Sequence, residues 1–161
     1  MKEYLNGYMY ENSVLHYLLW KYEGSIQKKG YLISYNNIER EQIEHISPQT
    51  PTNGEAIACG YEVDESNQYS DEFKERYLNS IGNLLLISGS HNASLGNKPF
   101  KEKLESYYSN PILRQQIQIK RFCDPNNSFY WGIECIKKRR KEIVKKFALN
   151  RWNFDSIIIP E

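Results

Sequence analysis

No apolar run in this 161-residue chain approaches the roughly 20 residues that a membrane-crossing helix needs. The opening Met1-Lys2-Glu3-Tyr4 has no signal-peptide plan, so a cytoplasmic chain is expected. Cysteine is scarce. Cys59, Cys123 and Cys135 are scattered and odd in number, which excludes a disulfide framework and the paired Cys-x-x-Cys knuckles of a structural zinc. No Gly-x-x-x-x-Gly-Lys-Ser/Thr loop is present to cradle nucleotide phosphates, and no internal repeat or low-complexity segment occurs. The fold must rest on its core and helices. A 40% hydrophobic content fills one core, which predicts a single domain over residues 1–161.

Charge of one sign is also missing, since the net charge is +1. Its distribution is uneven. Residues 1–80 carry 7 Lys/Arg against 13 Asp/Glu, and residues 81–161 carry 14 against 7. The densest basic run is Lys137-Lys138-Arg139-Arg140-Lys141, followed by Lys145-Lys146. On a helix that run wraps more than one turn, so part is free to face a polyanion and part faces solvent.

Periodicity predicts helices around a small hairpin. Val14, Leu15, Leu18, Leu19, Tyr22 and Ile26 stand at helical spacing within an N-terminal helical region over 1–30, running from about Glu11 to Lys28. His16, inside that stretch, reads as structural. Tyr31 to Tyr35 reads as a short strand, and 49–67, with Pro51, Gly54 and Gly60, as an inserted loop. Ser70 caps a short helix to Asn79. Leu84 to Ile87 is a buried strand, Ser88-Gly89-Ser90 turns the chain, and His91 to Leu95 forms a short helix facing the first strand. Asn97 to Tyr108 is helical with Pro99 in its first turn. Helices follow over 111–152, the last capped by Ser128.

The decisive pattern is Ile43-Glu44-His45-Ile46-Ser47-Pro48, then Ile81-Gly82-Asn83-Leu84-Leu85-Leu86-Ile87, then Asn92, nine positions after Asn83. Neighbouring strand residues point to opposite faces, so Glu44 and His45 serve one site only where the strand ends; Pro48 supplies the break. A histidine takes a proton from water, a carboxylate and an amide oxygen hold a divalent cation, and an asparagine braces the loop. That layout is what a one-metal phosphodiesterase needs. His91 reads as a polar helix-start residue, or as an extra phosphate or metal contact.

The arrangement resembles an HNH endonuclease of the His-Me finger (ββα-metal) class. More closely, Glu44-His45-Ile46-Ser47-Pro48-Gln49, Leu78-Asn79-Ser80-Ile81-Gly82-Asn83-Leu84 and Asn92-Ala93-Ser94-Leu95-Gly96-Asn97-Lys98-Pro99-Phe100-Lys101-Glu102-Lys103 are similar to the C-terminal nuclease domain of GmrSD-type modification-dependent restriction enzymes. Trp131, Ile136 and Arg139 fall where that domain has a Trp, an Ile and an Arg on its last helix. The resemblance implies an α+β, mostly helical fold. A ββα-metal finger over 41–108, a short antiparallel hairpin plus helix, would be embedded in flanking helices. It implies His45 as general base, Glu44 and Asn92 as metal ligands, and Asn83 as the residue orienting the loop that carries His45. Many HNH enzymes have Asp at the position of Glu44 and His at that of Asn92. The amide at Asn92 favours a hard, oxygen-bound cation, magnesium or manganese. Lys98 and Lys103, the latter matching a lysine of that domain, are expected to neutralise neighbouring phosphates, and Lys137, Lys138, Arg140 and Lys141 to contact DNA. Arg139 is expected to be structural.

Nothing in these residues reads base identity, since phosphate contacts position without specifying. The resemblance therefore implies a separate N-terminal nucleotide-hydrolysing domain or an ATPase subunit as partner. The latter is the plan of antiphage systems of the Septu type, and Met1 with its helical lead-in favours that stand-alone arrangement. An RNA-cleaving His-Me finger nuclease and a catalytically silent DNA-binding or assembly subunit are the alternatives.

Overall fold

Leu84-Leu85-Leu86-Ile87 offers apolar side chains to both faces of a strand, so both faces must be covered. A computed structural model shows how. It describes residues 2–27, 34, 42–49, 59–109, 111 and 113–152. In chain order the elements are α1 (Lys2–Asn6), α2 (Leu15–Ile26), β1 (Gln42–His45) and α3 (Asp71–Phe73), which a π-helical turn (Lys74–Leu78) continues. A 3-10 turn (Ile81–Asn83) leads into β2 (Leu84–Ile87), followed by α4 (Gly89–Leu95) and α5 (Phe100–Ser109). Next comes α6 (Arg114–Gln118), continued by a 3-10 turn (Ile119–Phe122). The last helix, α7 (Ile133–Lys141), passes through a π-helical stretch (Glu142–Ala148) into α8 (Leu149–Arg151). The fold is α+β and mostly helical, with one short antiparallel hairpin followed by a helix, as expected.

β1 and β2 pair with Gln42 opposite Ile87, Ile43 opposite Leu86, Glu44 opposite Leu85 and His45 opposite Leu84. Leu85 and Ile87 join one core cluster with Ile46, Phe100, Leu104, Tyr107, Trp131 and Ile136. Leu84 and Leu86 join another with Leu15, Leu19, Tyr22, Ile143 and Phe147. The hairpin is thus a wall between two cores, and each fully buried leucine contributes about 2 kcal/mol. Because directly opposed residues share a face, Glu44 looks towards the first core and His45 towards the second.

Buried polar groups lock the helices to this wall. The Leu86 amide donates to Gln115 Oε1 at 3.1 Å. The buried Glu23 carboxylate of α2 accepts from the Arg114 amide (2.6 Å), the Gln115 amide (3.0 Å) and Gln115 Nε2 (3.1 Å). It thereby satisfies the orphan amides and positive end of α6. Arg139, fully buried on α7, sends Nη1 to the carbonyls of Ile81 (2.9 Å), Gly82 (3.1 Å) and Leu84 (2.6 Å). A Cβ on Gly82 would lie 2.3 Å from the Ile136 carbonyl oxygen, so only glycine lets the turn approach α7 this closely.

Three expectations need correction. The N-terminal region is two helices, because Asn12 Oδ1 accepts the Val14 amide at 3.0 Å in an Asx turn and α2 starts only at Leu15. The helix expected from Asn97 begins at Phe100. Ser128 does not cap the last helix. The Trp131 amide pairs with the Gly60 carbonyl at 2.8 Å, and Glu62 Oε2, from 71 positions upstream, accepts the Ile133 amide at 2.7 Å. Trp131 therefore precedes α7. Ser70, by contrast, caps α3 through the Phe73 amide at 3.1 Å. The expected strand at 31–35, apart from residue 34, and residues 50–58 of the expected loop lie outside the described residues. Among the described residues no helix is long and apolar enough to cross a membrane.

Candidate active site

β1 ends at His45, and the chain bends through Ile46 and Ser47. Both side chains of the acid–histidine pair are nearly enclosed, Glu44 being 5% and His45 6% exposed. His45 Nε2 lies 3.0 Å from Asn79 Oδ1, and its ring sits 4.4 Å from that of Tyr10 at a tilt of 58°. With the Asn79 oxygen as acceptor, Nε2 carries the proton and Nδ1 keeps the lone pair. Burial, with a lesser push from the Lys103 charge, holds the His45 pKa at about 4 against the Asn79 hydrogen bond, so the ring is neutral near pH 7.

Glu44 Oε1 accepts from Lys103 Nζ at 2.7 Å and from the Tyr107 hydroxyl at 3.1 Å. Burial pushes its carboxyl above the usual range, while Lys103 and Tyr107 pull the other way. Burial lowers the Lys103 ammonium, and Glu44 raises it. We regard the pair as ionised. Lys103 Nζ also donates to the His45 carbonyl at 2.9 Å, so the charge is bonded on two sides.

Asn83 is fully buried in the 3-10 turn before β2. Its Oδ1 accepts the Ser47 amide at 2.9 Å and Trp131 Nε1 at 3.1 Å. Its Nδ2 donates to the Ser47 carbonyl at 3.1 Å and the Leu78 carbonyl at 2.9 Å. The Asn83 carbonyl takes the Ile46 amide at 2.9 Å. One side chain therefore ties the bend after His45 to the segment that carries Asn79.

Asn92, on α4, sends Nδ2 to Gln42 Oε1 at 2.9 Å. A cavity of about 320 Å³ is lined by Tyr10, Gln42, Glu44, His45, Asn92, Asn97 and Lys103 among others. Glu44 and His45 of β1 and Asn92 of α4 thus line one cavity, although the two elements lie far apart in sequence.

The family model of the GmrSD restriction endonucleases, C-terminal domain, matches residues 2–146. The chain belongs to this family. Comparison with curated proteins and with solved structures finds no match. The GmrSD C-terminal domain is a nuclease domain of restriction-type systems.

The three residues whose expected match is to the last helix of the GmrSD domain, Trp131, Ile136 and Arg139, converge on one place. Trp131 bonds Asn83, Ile136 packs against Gly82, and Arg139 holds the Ile81, Gly82 and Leu84 carbonyls. The expected phosphate contacts do not converge. Lys103, expected to neutralise neighbouring phosphates, is 1% exposed and its ammonium is committed to Glu44 instead. Lys98 is exposed on the loop before α5. Lys137 pairs with Glu134 at 2.8 Å, and Arg140 donates to the Asn6 carbonyl at 3.3 Å. Lys137 and Lys138 line another cavity with Glu62, Glu72, Asp124 and Glu134, which shares no lining residue with the first. Lys141 is exposed. His91 reaches Ser106 Oγ at 2.7 Å and Gln116 Nε2 at 3.3 Å, so both ring nitrogens are occupied.

The roles of Asn79, Tyr10, Gln42 and Tyr107 escaped sequence reasoning. Tyr107 left a signal: it stands four residues after Lys103 on α5, hence on the same helix face.

A cation fits the donor set in kind. Among the described residues no group of three His, Cys, Asp or Glu side chains gathers, and the cavity lining instead holds one carboxylate, Glu44, and side-chain amides that include Asn92. Such a set suits a hard cation that keeps waters and substrate oxygens as its other ligands.

Proposed function

We propose that this chain is a metal-dependent HNH endonuclease that hydrolyses DNA phosphodiester bonds as the cutting component of a restriction or antiphage system. One observation carries the reading. A single cavity gathers Glu44, His45 and Asn92, while Asn83 braces the bend behind His45. Glu44 and Asn92 would hold a magnesium or manganese ion, which when bound supplies positive charge for the phosphate.

His45 works as base through Nδ1. It takes a proton from the water that attacks phosphorus, while Asn79 holds the Nε2 proton and so keeps the ring in one tautomer. The bond from phosphorus to the 3′ oxygen breaks and that oxygen takes a proton from solvent water, leaving a 5′ phosphate and a 3′ hydroxyl. Tyr10 covers the ring and limits bulk water around it. A nucleotide-hydrolysing partner domain or subunit selects the DNA.

The test is direct. The purified chain is incubated with supercoiled plasmid, single-stranded DNA and RNA, each with magnesium, manganese or a chelator. Nicking of plasmid that needs a divalent ion and disappears in His45→Ala supports the reading. Cutting of RNA alone, or of nothing, sinks it.

A further inference from the structure

Glu44 and Lys103 line the same cavity, and they are its charged lining residues among those described. Tyr10, Gln42, Asn92 and Asn97 are uncharged, and His45 is neutral near pH 7. The Lys103 ammonium cannot simply swing aside. It is 1% exposed, lies 2.7 Å from Glu44 Oε1, and donates as well to the His45 carbonyl at 2.9 Å. Moving it would break two buried hydrogen bonds and leave two charges unpaired, a change that costs several kcal/mol.

We infer that Lys103 cancels the charge of Glu44, so that a divalent cation and a nucleic-acid phosphate enter this site together, the phosphate supplying the negative charge that the protein withholds. The inference rests on the cation site proposed above. Coulomb attraction between a cation and Glu44 is offset by repulsion from Lys103 at nearly the same place. The free chain therefore binds the cation weakly. A phosphodiester contributes one negative charge and further oxygen ligands, the way in which magnesium sites with few carboxylates are usually completed. Linkage makes the effect mutual, because whatever factor DNA adds to cation affinity the cation adds to DNA affinity. Cutting is then confined to moments when DNA is in place, and the empty site does not collect stray cations.

The experiment measures binding. The His45→Ala protein, in which cleavage is expected to be roughly 10²–10⁴ slower, is titrated with Mn²⁺ by electron paramagnetic resonance, alone and with a short duplex, against protein-free DNA as control. The expected result is an affinity for Mn²⁺ at least tenfold higher with DNA, and an equal gain for DNA when Mn²⁺ is present. Tight Mn²⁺ binding that DNA leaves unchanged overturns the inference while keeping the nuclease reading. Absence of any Mn²⁺ binding, with no cleavage by the wild-type chain, overturns both. In the folded Lys103→Met variant the free chain should bind Mn²⁺ about tenfold more tightly, and an unchanged affinity removes Lys103 from the explanation. If that variant does not fold, the two Mn²⁺ titrations decide the matter on their own.

Discussion

Trp131 donates its indole N–H to Asn83 Oδ1 at 3.1 Å, and that same atom accepts the Ser47 amide at 2.9 Å. The last helical region and the bend after His45 are thus joined through one buried oxygen. Arg139 and Ile136 close on the same turn from the next two turns of α7.

Trp131→Phe keeps most of the buried ring area and removes the indole donor. Loss of one hydrogen bond should cost about 1 kcal/mol. Asn83→Ala should cost more, about 2–4 kcal/mol, because the Ser47 amide and carbonyl, the Leu78 carbonyl and the Trp131 indole all lose a partner. Urea unfolding followed by circular dichroism measures both, and equal small losses would remove Asn83 from its bracing role.

His45→Ala should lower cleavage by roughly 10²–10⁴ as expected for loss of a general base. The ring is largely enclosed, so some stability is lost as well. Secondary structure should survive, and plasmid nicking at protein concentrations where the fold is intact reads the catalytic loss. Undiminished nicking ends the assignment.

Acid should destabilise the free chain through His45. Its folded pKa, about 4, lies below the ordinary value of 6.5, so between those values the unfolded chain binds more protons. Stability then rises with pH across that window and is lost as pH falls from 6.5 towards 4, by about 3 kcal/mol at most. Glu44, shifted upward, works in the opposite sense above its own ordinary value. Denaturant midpoints of wild type and His45→Gln from pH 4 to 7 separate the contributions. The wild-type slope should flatten in the variant.

Lys103→Met should leave Glu44 as a buried, unpaired carboxylate and cost about 3–5 kcal/mol. Lys103→Met with Glu44→Gln removes both charges and should recover part of that loss. A double-mutant cycle in urea measures the coupling, and additivity would mean the pair contributes no coupling energy.

The basic helix yields a narrower expectation than its composition suggests. Lys137 is engaged by Glu134, and Arg140 by the Asn6 carbonyl, whereas Lys138 and Lys141 are exposed. Replacing Lys138 and Lys141 with Gln should reduce the log–log salt slope of DNA binding by about 2, at roughly 0.9 per phosphate contact. Adding Lys137→Gln and Arg140→Gln should change it little further. An unaltered slope in all four would place these residues against solvent or a partner protein.

Much of the site's layout was legible because its signals are local. Leu84 to Ile87 is apolar at every position, and a strand there can only be buried. Ser70 holds the expected cap of a short helix, as short hydroxyl side chains do, whereas Ser88, expected in a turn with Gly89 and Ser90, caps α4, which begins already at Gly89. Glu44, His45, Asn83 and Asn92 stood out by residue type and spacing. Less legible were boundaries decided by distant residues. α7 starts at Ile133 because Gly60 and Glu62 meet Trp131 and Ile133, and nothing near Ser128 announces that.

The sequence by itself determined which segments would be strand or helix around the hairpin, because apolar periodicity and capping act within a few residues. Only the tertiary structure decided what Lys103 does. A lysine on an amphipathic helix reads as a surface cation, and 58 positions separate it from His45. Folding brings it against Glu44 where both side chains are nearly enclosed, and a buried carboxylate needs a counter-charge. The same chemistry would have left it solvated had α5 packed one face further round.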